Sequence, residues 1–249
     1  MTELLVALSL IAGVVAAHEI GFRLGSLRIR SADETFDRQV ALVRASTAAL
    51  VAFLIGFAFS GAASRFIDRL DIIVKEANAL GTAYLRADTI ADPQRGELKA
   101  ALREYTADRV QLLSGKERDQ IEPLLAKVSG LHGRMWRSAI KATQDNAPLM
   151  AVVLPPINEV IDLHAMHLAM ARRHLPLPIM AMLLGTAAIG VGLLGFGNGR
   201  VGRRFSLLDS VYGTALVLAL FMTIDMDYPG IGIIRVSNLA VVETLAAMN

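Results

Sequence analysis

A chain of 249 residues has room for one or two domains, but with 54% hydrophobic residues and a mean hydropathy of +0.48 it is too apolar for an ordinary soluble fold. A net charge of +2 from 25 basic and 23 acidic residues, with no basic run interleaved by aromatics, argues against a nucleic-acid partner. The absence of cysteine excludes disulfides, thiolate metal sites and thiol catalysis.

The apolar residues gather into four blocks, and charges are dense between them. The first, Leu4 to Ala17, has only Glu3 ahead of it and so lacks the basic start of a signal peptide. Continued to Phe22 it is a retained spanning helix, with His18 and Glu19 near its end where water is close. The second, Ala45 to Ser64, is 20 residues without a charge, about one bilayer thickness of helix. The chain from Phe66 to Ile90 continues that helix, weakened only by Gly81. Asp92-Pro93 then breaks it. Further helices are predicted over Leu98 to Leu113, over Lys116 to Thr143 with a start near Pro123, and over Met150 to Arg173 with a bend at Pro155-Pro156. The third apolar block runs from Leu175 to Gly199, opening on Pro176 and Pro178 and stopping in a Gly-Phe-Gly-Asn-Gly run. The fourth runs from Phe205 to Ile224, interrupted by Asp209. Beyond it Tyr228-Pro229-Gly230 makes a turn, and Ile231 to Met248 is apolar but too broken to span.

The expectation is therefore an all-α integral membrane protein with four transmembrane helices and a helical extramembrane domain between the second and third. Transmembrane helices 1 and 2 with a short basic loop occupy residues 1–64, the helical domain 65–174, transmembrane helices 3 and 4 residues 175–224, and a tail packed on the helical domain or the interface 225–249. Basic residues in short loops set orientation. Arg23, Arg28, Arg30, Arg38 and Arg44 in one loop and Arg200, Arg203 and Arg204 in another place those loops in the cytoplasm. Both termini and the helical domain then face outward from a bacterial inner (plasma) membrane, although Arg65, Arg69, Lys75, Arg172 and Arg173 flank the spans on that outer side.

Span two is the most informative segment. At about 100° per residue Ala49, Phe53, Phe57, Ser60 and Ser64 share one stripe, and Gly56 leaves room beside it. An oligomer that turns this stripe to its axis has rings of phenyl groups followed by rings of hydroxyls, a constriction of the kind that gates by dewetting. Read from this helix alone, phenyl groups facing lipid or a neighbour, with Gly56 and Gly61 as packing contacts, are favoured over a pore.

The segment resembles the pore-lining helix of bestrophins, where a Gly-Phe pair in the neck is followed nine residues after the glycine by an arginine beside an aromatic; here Gly56-Phe57 is followed by Arg65-Phe66. The whole chain is similar to a bacterial family of unknown function with a bestrophin-like domain. That resemblance rests on His18-Glu19-Ile20-Gly21 with Arg23-Leu24-Gly25, on Gly56-Phe57-Ala58-Phe59-Ser60 with Arg65-Phe66, and on Glu76-Ala77-Asn78 with Gly81-Thr82-Ala83-Tyr84-Leu85-Arg86-Ala87-Asp88. It continues in Asn158-Glu159 with Ile161-Asp162-Leu163-His164, and in Asp225-Met226-Asp227-Tyr228-Pro229 with Ile234-Arg235-Val236-Ser237. The resemblance implies a pentameric ion channel with Phe53 and Phe57 at its neck and with Ala49, Gly56, Ser60, Ser64, Asn78 and Thr82 along the ion path. It also implies anion conduction, with inorganic ions, membrane lipid and further copies of the chain as partners and no cofactor. Bestrophins keep their helical domain in the cytoplasm, opposite to the side the short-loop arginines give here, and their calcium-clasp residues have no obvious counterpart.

Three further groups of polar residues stand out. Glu159, Asp162, His164 and His167 are the candidate metal or acid/base cluster, but on a helix the two pairs point about 140° apart, so pairing within the domain is favoured over a metal site. Glu76, Asn78, Thr82 and Arg86 read first as hydrogen-bonding glue between helices. Asp225 and Asp227 are candidates for an ion-attracting mouth that would favour cations, potassium included; a solvated helix end is the plainer reading. No phosphate-loop, dinucleotide or Gly-x-Ser-x-Gly motif occurs, so no enzyme is expected. A non-conducting membrane sensor or scaffold is the alternative to a channel.

Overall fold

The computed structural model describes residues 2–27, 34–115, 118–204, 206–229 and 232–248, and among these all regular structure is helical. Arg28, Arg30, Lys116, Phe205, Gly230 and Ile231, which figure in the sequence reading, lie outside the described residues. The helices are α1 (Thr2–Ser26), α2 (Glu34–Arg86), α3 (Gln94–Leu113), α4 (Arg118–Thr143), α5 (Ala147–Ala171), α6 (Leu177–Val201), α7 (Leu207–Asp227) and α8 (Leu239–Ala247). They form two compact units, one of Met1–Phe66 with His174–Arg235 and one of Ile67–Arg173 with Val236–Asn249.

In the first unit α1 lies against α6 with backbone touching backbone. A Cβ on Gly21 would overlap the carbonyl of Gly192, and one on Gly25 that of Phe196. From the other side, a Cβ on Gly195 would overlap the carbonyl of His18 and one on Gly199 that of Phe22. Glycines four apart on both helices are the small-residue seam by which helices approach in lipid. This corrects the predicted stop of the third span: the Gly-Phe-Gly-Asn-Gly run lies inside α6, where it serves contact with α1. The helix ends instead at Gly202, whose φ of +72° is the left-handed C-cap. The remaining core of the unit joins Val51 and Ala58 of α2, Leu183, Ala187 and Val191 of α6, and Leu216 and Leu220 of α7.

Two other boundaries differ from the sequence reading. α2 begins at Glu34, eleven residues before the predicted span, because Glu34 and Asp37 suit a helix N-terminus and Asp37 is held by Arg200 at 2.6 Å. It then runs unbroken for 53 residues, about 80 Å at 1.5 Å per residue. Asp209, read as an interruption, closes a capping box with Ser206: its carboxylate accepts the Ser206 N–H at 2.8 Å, and the Ser206 Oγ accepts its N–H at 3.2 Å.

The second unit packs the polar half of α2 with α3, α4, α5 and α8 around Leu80, Leu98, Leu102, Leu131, Met135, Ile157 and Val160. α5 passes through Pro155 and Pro156 without a break in the helix. Pro156 leaves the carbonyl of Val152 without its helical donor, and the guanidinium of Arg86 donates to that oxygen at 2.8 Å. Val241 of α8 is buried with Ile73 and Ala77 of α2, and the Tyr84 hydroxyl donates to the carbonyl of Met248 at 2.8 Å.

Among the described residues five helices are long and apolar enough to cross a membrane by length and composition: α1, α2, α5, α6 and α7. α5 is the addition. It belongs to the second unit, where Val153, Ile157, Val160 and Leu163 are buried in the same core as residues of α3 and α4.

The glycine seam predicts that Gly195→Leu lowers the thermal midpoint of the purified protein or abolishes its folding, since overpacking a tight contact costs roughly 1–3 kcal/mol or more. Gly185→Ala, with nothing within 4 Å of the added carbon, leaves the midpoint unchanged or slightly raised.

Candidate functional site

α2 has two faces in the first unit. Val51, Ala58 and Ala62 are buried, and Leu54 and Ile55 pack partly against the same core. On the opposite side Ala49, Phe53, Gly56, Phe57, Ser60 and Ser64 are all exposed, and among the described residues nothing beyond its own stretch of helix lies within 4 Å of a Cβ built on Gly56. Phe53 and Phe57 are each 69% exposed, which leaves two large phenyl groups, one turn apart, largely uncovered by the described residues. In the second unit the same helix buries Ile72, Ile73, Glu76, Ala77, Leu80 and Ala83, while Asp71, Lys75, Asn78 and Thr82 are exposed. Every residue expected along an ion path is therefore on the uncovered face of its unit.

The end of the apolar half of α2 is tied to α7 through Arg65. Its Nε donates to Asp227 Oδ1 at 2.8 Å and its Nη2 approaches the same oxygen at 2.6 Å. Asp227 Oδ2 accepts the N–H of Leu175 at 2.7 Å, and its main-chain carbonyl is 2.9 Å from Nδ1 of His174, whose ring stacks on Tyr228. Asp225 is buried as well, with Oδ2 accepting the N–H groups of Ile233 and Ile234 at 3.0 Å each. The two carboxylates expected at an open mouth thus lie inside the first unit. They close the C-terminal end of α7, and Arg65 answers the charge of Asp227.

In the second unit the polar residues of α2 hold its neighbours. Arg69 donates to the carbonyl of Arg173 at 2.7 Å, at the end of α5. Glu76, fully buried, receives both Nε and Nη2 of Arg109 at 2.6 Å and the Tyr105 hydroxyl at 2.6 Å. Burial works to raise the Glu76 carboxyl, but the Arg109 fork outweighs it and holds the group below its ordinary value. Burial first, and the Glu76 charge next, push the Tyr105 phenol well up. The expectation that Glu76 and Arg86 act as interhelical glue matches these contacts.

The candidate metal cluster is dispersed. Glu159 and Asp162 are exposed, with Asp162 accepting from Asn158 at 2.8 Å, whereas His164 is buried. Among the described residues no group of three or more histidines and carboxylates is arranged to hold a metal ion. Sequence reasoning did not find Tyr105, Arg109 or His132, which surround Glu76 and His164. A charge every third or fourth residue is also the pattern of a solvated helix face, so nothing local marks Arg109 as buried.

The model of the bestrophin-like domain matches residues 10–241. Among solved structures the chain is similar to a bacterial bestrophin homologue from Klebsiella pneumoniae carrying a W252A mutation. The two share 13% identity at a TM-score of 0.67, with 96% of this chain and 95% of that one covered, so the likeness is one of fold. Among curated proteins none matches the chain. The chain belongs to the bestrophin-like domain family.

Removing Arg65 strands a buried carboxylate, which costs roughly 3–5 kcal/mol. Arg65→Met is expected to lower the thermal midpoint sharply, and Asp227→Asn in the same chain to recover most of the loss, as read by unfolding of the purified protein.

Proposed function

We propose that this member of the bestrophin-like family is a homo-oligomeric ion channel, a pentamer in which α2 lines the pore and Phe53 and Phe57 form its neck. The observation that carries the reading is the bare stripe of α2. A helix packed on one side by Val51, Ala58 and Ala62 leaves phenyl, glycine and hydroxyl groups in register on the other, and copies arranged about an axis give each phenyl a place in a ring. In such a ring the phenyl groups constrict and Ser60 and Ser64 wet the path beyond them.

The membrane body consists of α1, the apolar half of α2, α6 and α7, giving four spans. α5, though apolar, belongs to the helical unit, because its buried face packs in the core shared with the polar helices α3 and α4. The inner membrane of a bacterium is the proposed location. Arg23, Arg44, Arg200, Arg203 and Arg204 mark the cytoplasmic side, which places the termini and helical unit outside.

Anion conduction is what the family resemblance implies. A neck of phenyl rings is nearly neutral to charge, and Asp68 and Asp71 are exposed on α2, so a cation channel of the same build, passing potassium, is the second reading. A non-conducting membrane sensor is the third.

Purified protein in liposomes distinguishes them. Chloride flux without potassium flux is expected, and Phe53→Ala with Phe57→Ala is expected to raise it severalfold while leaving the thermal midpoint of the protomer nearly unchanged. Potassium flux selects the second reading. Absence of both fluxes, unaltered by the double substitution, removes the channel.

A further inference from the structure

Three imidazoles surround the buried Glu76–Arg109 pair. The rings of His132 of α4 and His164 of α5 meet edge to face with centroids 5.0 Å apart, and His132 lies 5.1 Å and His164 6.2 Å from the ring of Tyr105. Nε2 of His132, Nδ1 of His164 and Nδ1 of His167 are each buried with no hydrogen-bond partner among the described residues. A buried polar atom left unmatched is uncommon, and a small cluster of them in one core calls for an account. A metal ion does not supply it: among the described residues no group of three or more histidines and carboxylates is arranged to hold one, and the one buried carboxylate beside the site, Glu76, is already taken by Arg109 and Tyr105.

Neutral imidazoles are tolerable here, because each orphan nitrogen is then a bare acceptor. An added proton changes that, since it places a new N–H without an acceptor beside a second imidazole and near Arg109. We propose that His132, His164 and His167 form a proton-binding site within the helical unit, and that proton uptake by this site loosens the packing of α3, α4 and α5 and makes the unit an acid-sensitive switch. The proposal does not depend on whether the chain conducts ions.

The charged groups around the site act on proton uptake in opposite directions. From α2, Glu76 attracts protons to the site, more strongly at His132 than Arg109 repels them and less strongly at His164 and His167, and Arg69 repels them from the side of His167. From α3, Arg109 repels them, while Asp108 is paired with Lys127 of α4 at 2.8 Å. From α5, Glu159 and Asp162 are exposed to solvent and Asp162 is engaged by Asn158. Consistent with this balance, burial first and Arg109 next push His164 and His167 down from 6.5 to about 4, and burial lowers His132. The sign follows by linkage. A loosened unit binds the protons at the ordinary histidine value and the packed unit only near 4, so packing is at full strength above 6.5 and is lost as pH falls toward 4.

The chain has one tryptophan, Trp136 of α4, one turn from His132. In the full-length protein in lipid nanodiscs, the Trp136 emission maximum is followed from about pH 8 to about pH 4. The expected result is a reversible red shift with its midpoint between these limits and a steepness above one proton, with faster amide exchange in α3, α4 and α5 but not in α1 or α6. His132→Gln with His164→Gln is expected to move the midpoint down by about one pH unit or more, and His174→Gln, in the other unit, to leave it in place. Where the double variant does not fold, His164→Gln and His167→Gln singly are expected to lower the steepness. A flat wild-type titration overturns the proposal, and so do histidine variants that titrate as the wild type does.

Discussion

Within a bilayer two helices gain nothing by hiding apolar surface from one another, because lipid tails are as apolar as leucine. Association must come from close fit, and in this chain the closest fit is the contact of α1 with α6, where glycines on each helix receive the carbonyls of the other. The rest of the membrane body is arranged on that pair. With α1 occupying the glycine face of α6, the Leu183, Ala187 and Val191 face remains for α2 and α7. In return α2 buries Val51 and Ala58 and packs Leu54 and Ile55 partly against the same core. What α2 does not use is the phenyl and hydroxyl stripe.

The second unit follows the opposite physics. Its helices bury aliphatic and aromatic groups against each other, and they also bury charge, which is costly unless fully paired. Glu76 and Arg109 meet that condition through two parallel donors and a tyrosine hydroxyl. Arg69 and Arg86 supply donors to carbonyls that a helix end and a proline leave open. One helix, α2, therefore carries both kinds of interaction along its length, and its exposed residues change from phenyl and serine to Asp71, Lys75, Asn78 and Thr82.

Much of this was legible in the sequence. Uncharged blocks gave the apolar helices, the absence of proline gave the continuity of α2, and helical spacing separated its two faces. Three things were not legible, each for a physical reason. Glycine has two uses in a helix, as a stop and as a place for a close neighbour, and only the neighbour decides; hence the run in α6 was read as an end. A carboxylate after a span looks the same whether it is bare or buried, and Asp227 is buried because Arg65, 162 residues away in sequence, reaches it. The apolarity of α5 satisfies a hydropathy window, yet its buried residues serve the core of a helical unit, so composition and packing point to different roles for the same helix.

The central claim is that the bare stripe of α2 faces water on the axis of an oligomer, and the absence of native cysteine makes it directly measurable. Single cysteines are placed at Ala49, Ser60 and Ser64 on the stripe, at Phe59 on the flank of the same helix and at Leu8 on the exposed face of α1, and the protein in liposomes is treated with a charged, membrane-impermeant thiol reagent applied to both sides. The account predicts labelling at the three stripe positions with a change in ion flux, and none at Phe59 or Leu8. Labelling of none of them, or of Phe59 and Leu8 as readily as Ser60 and Ser64, contradicts it.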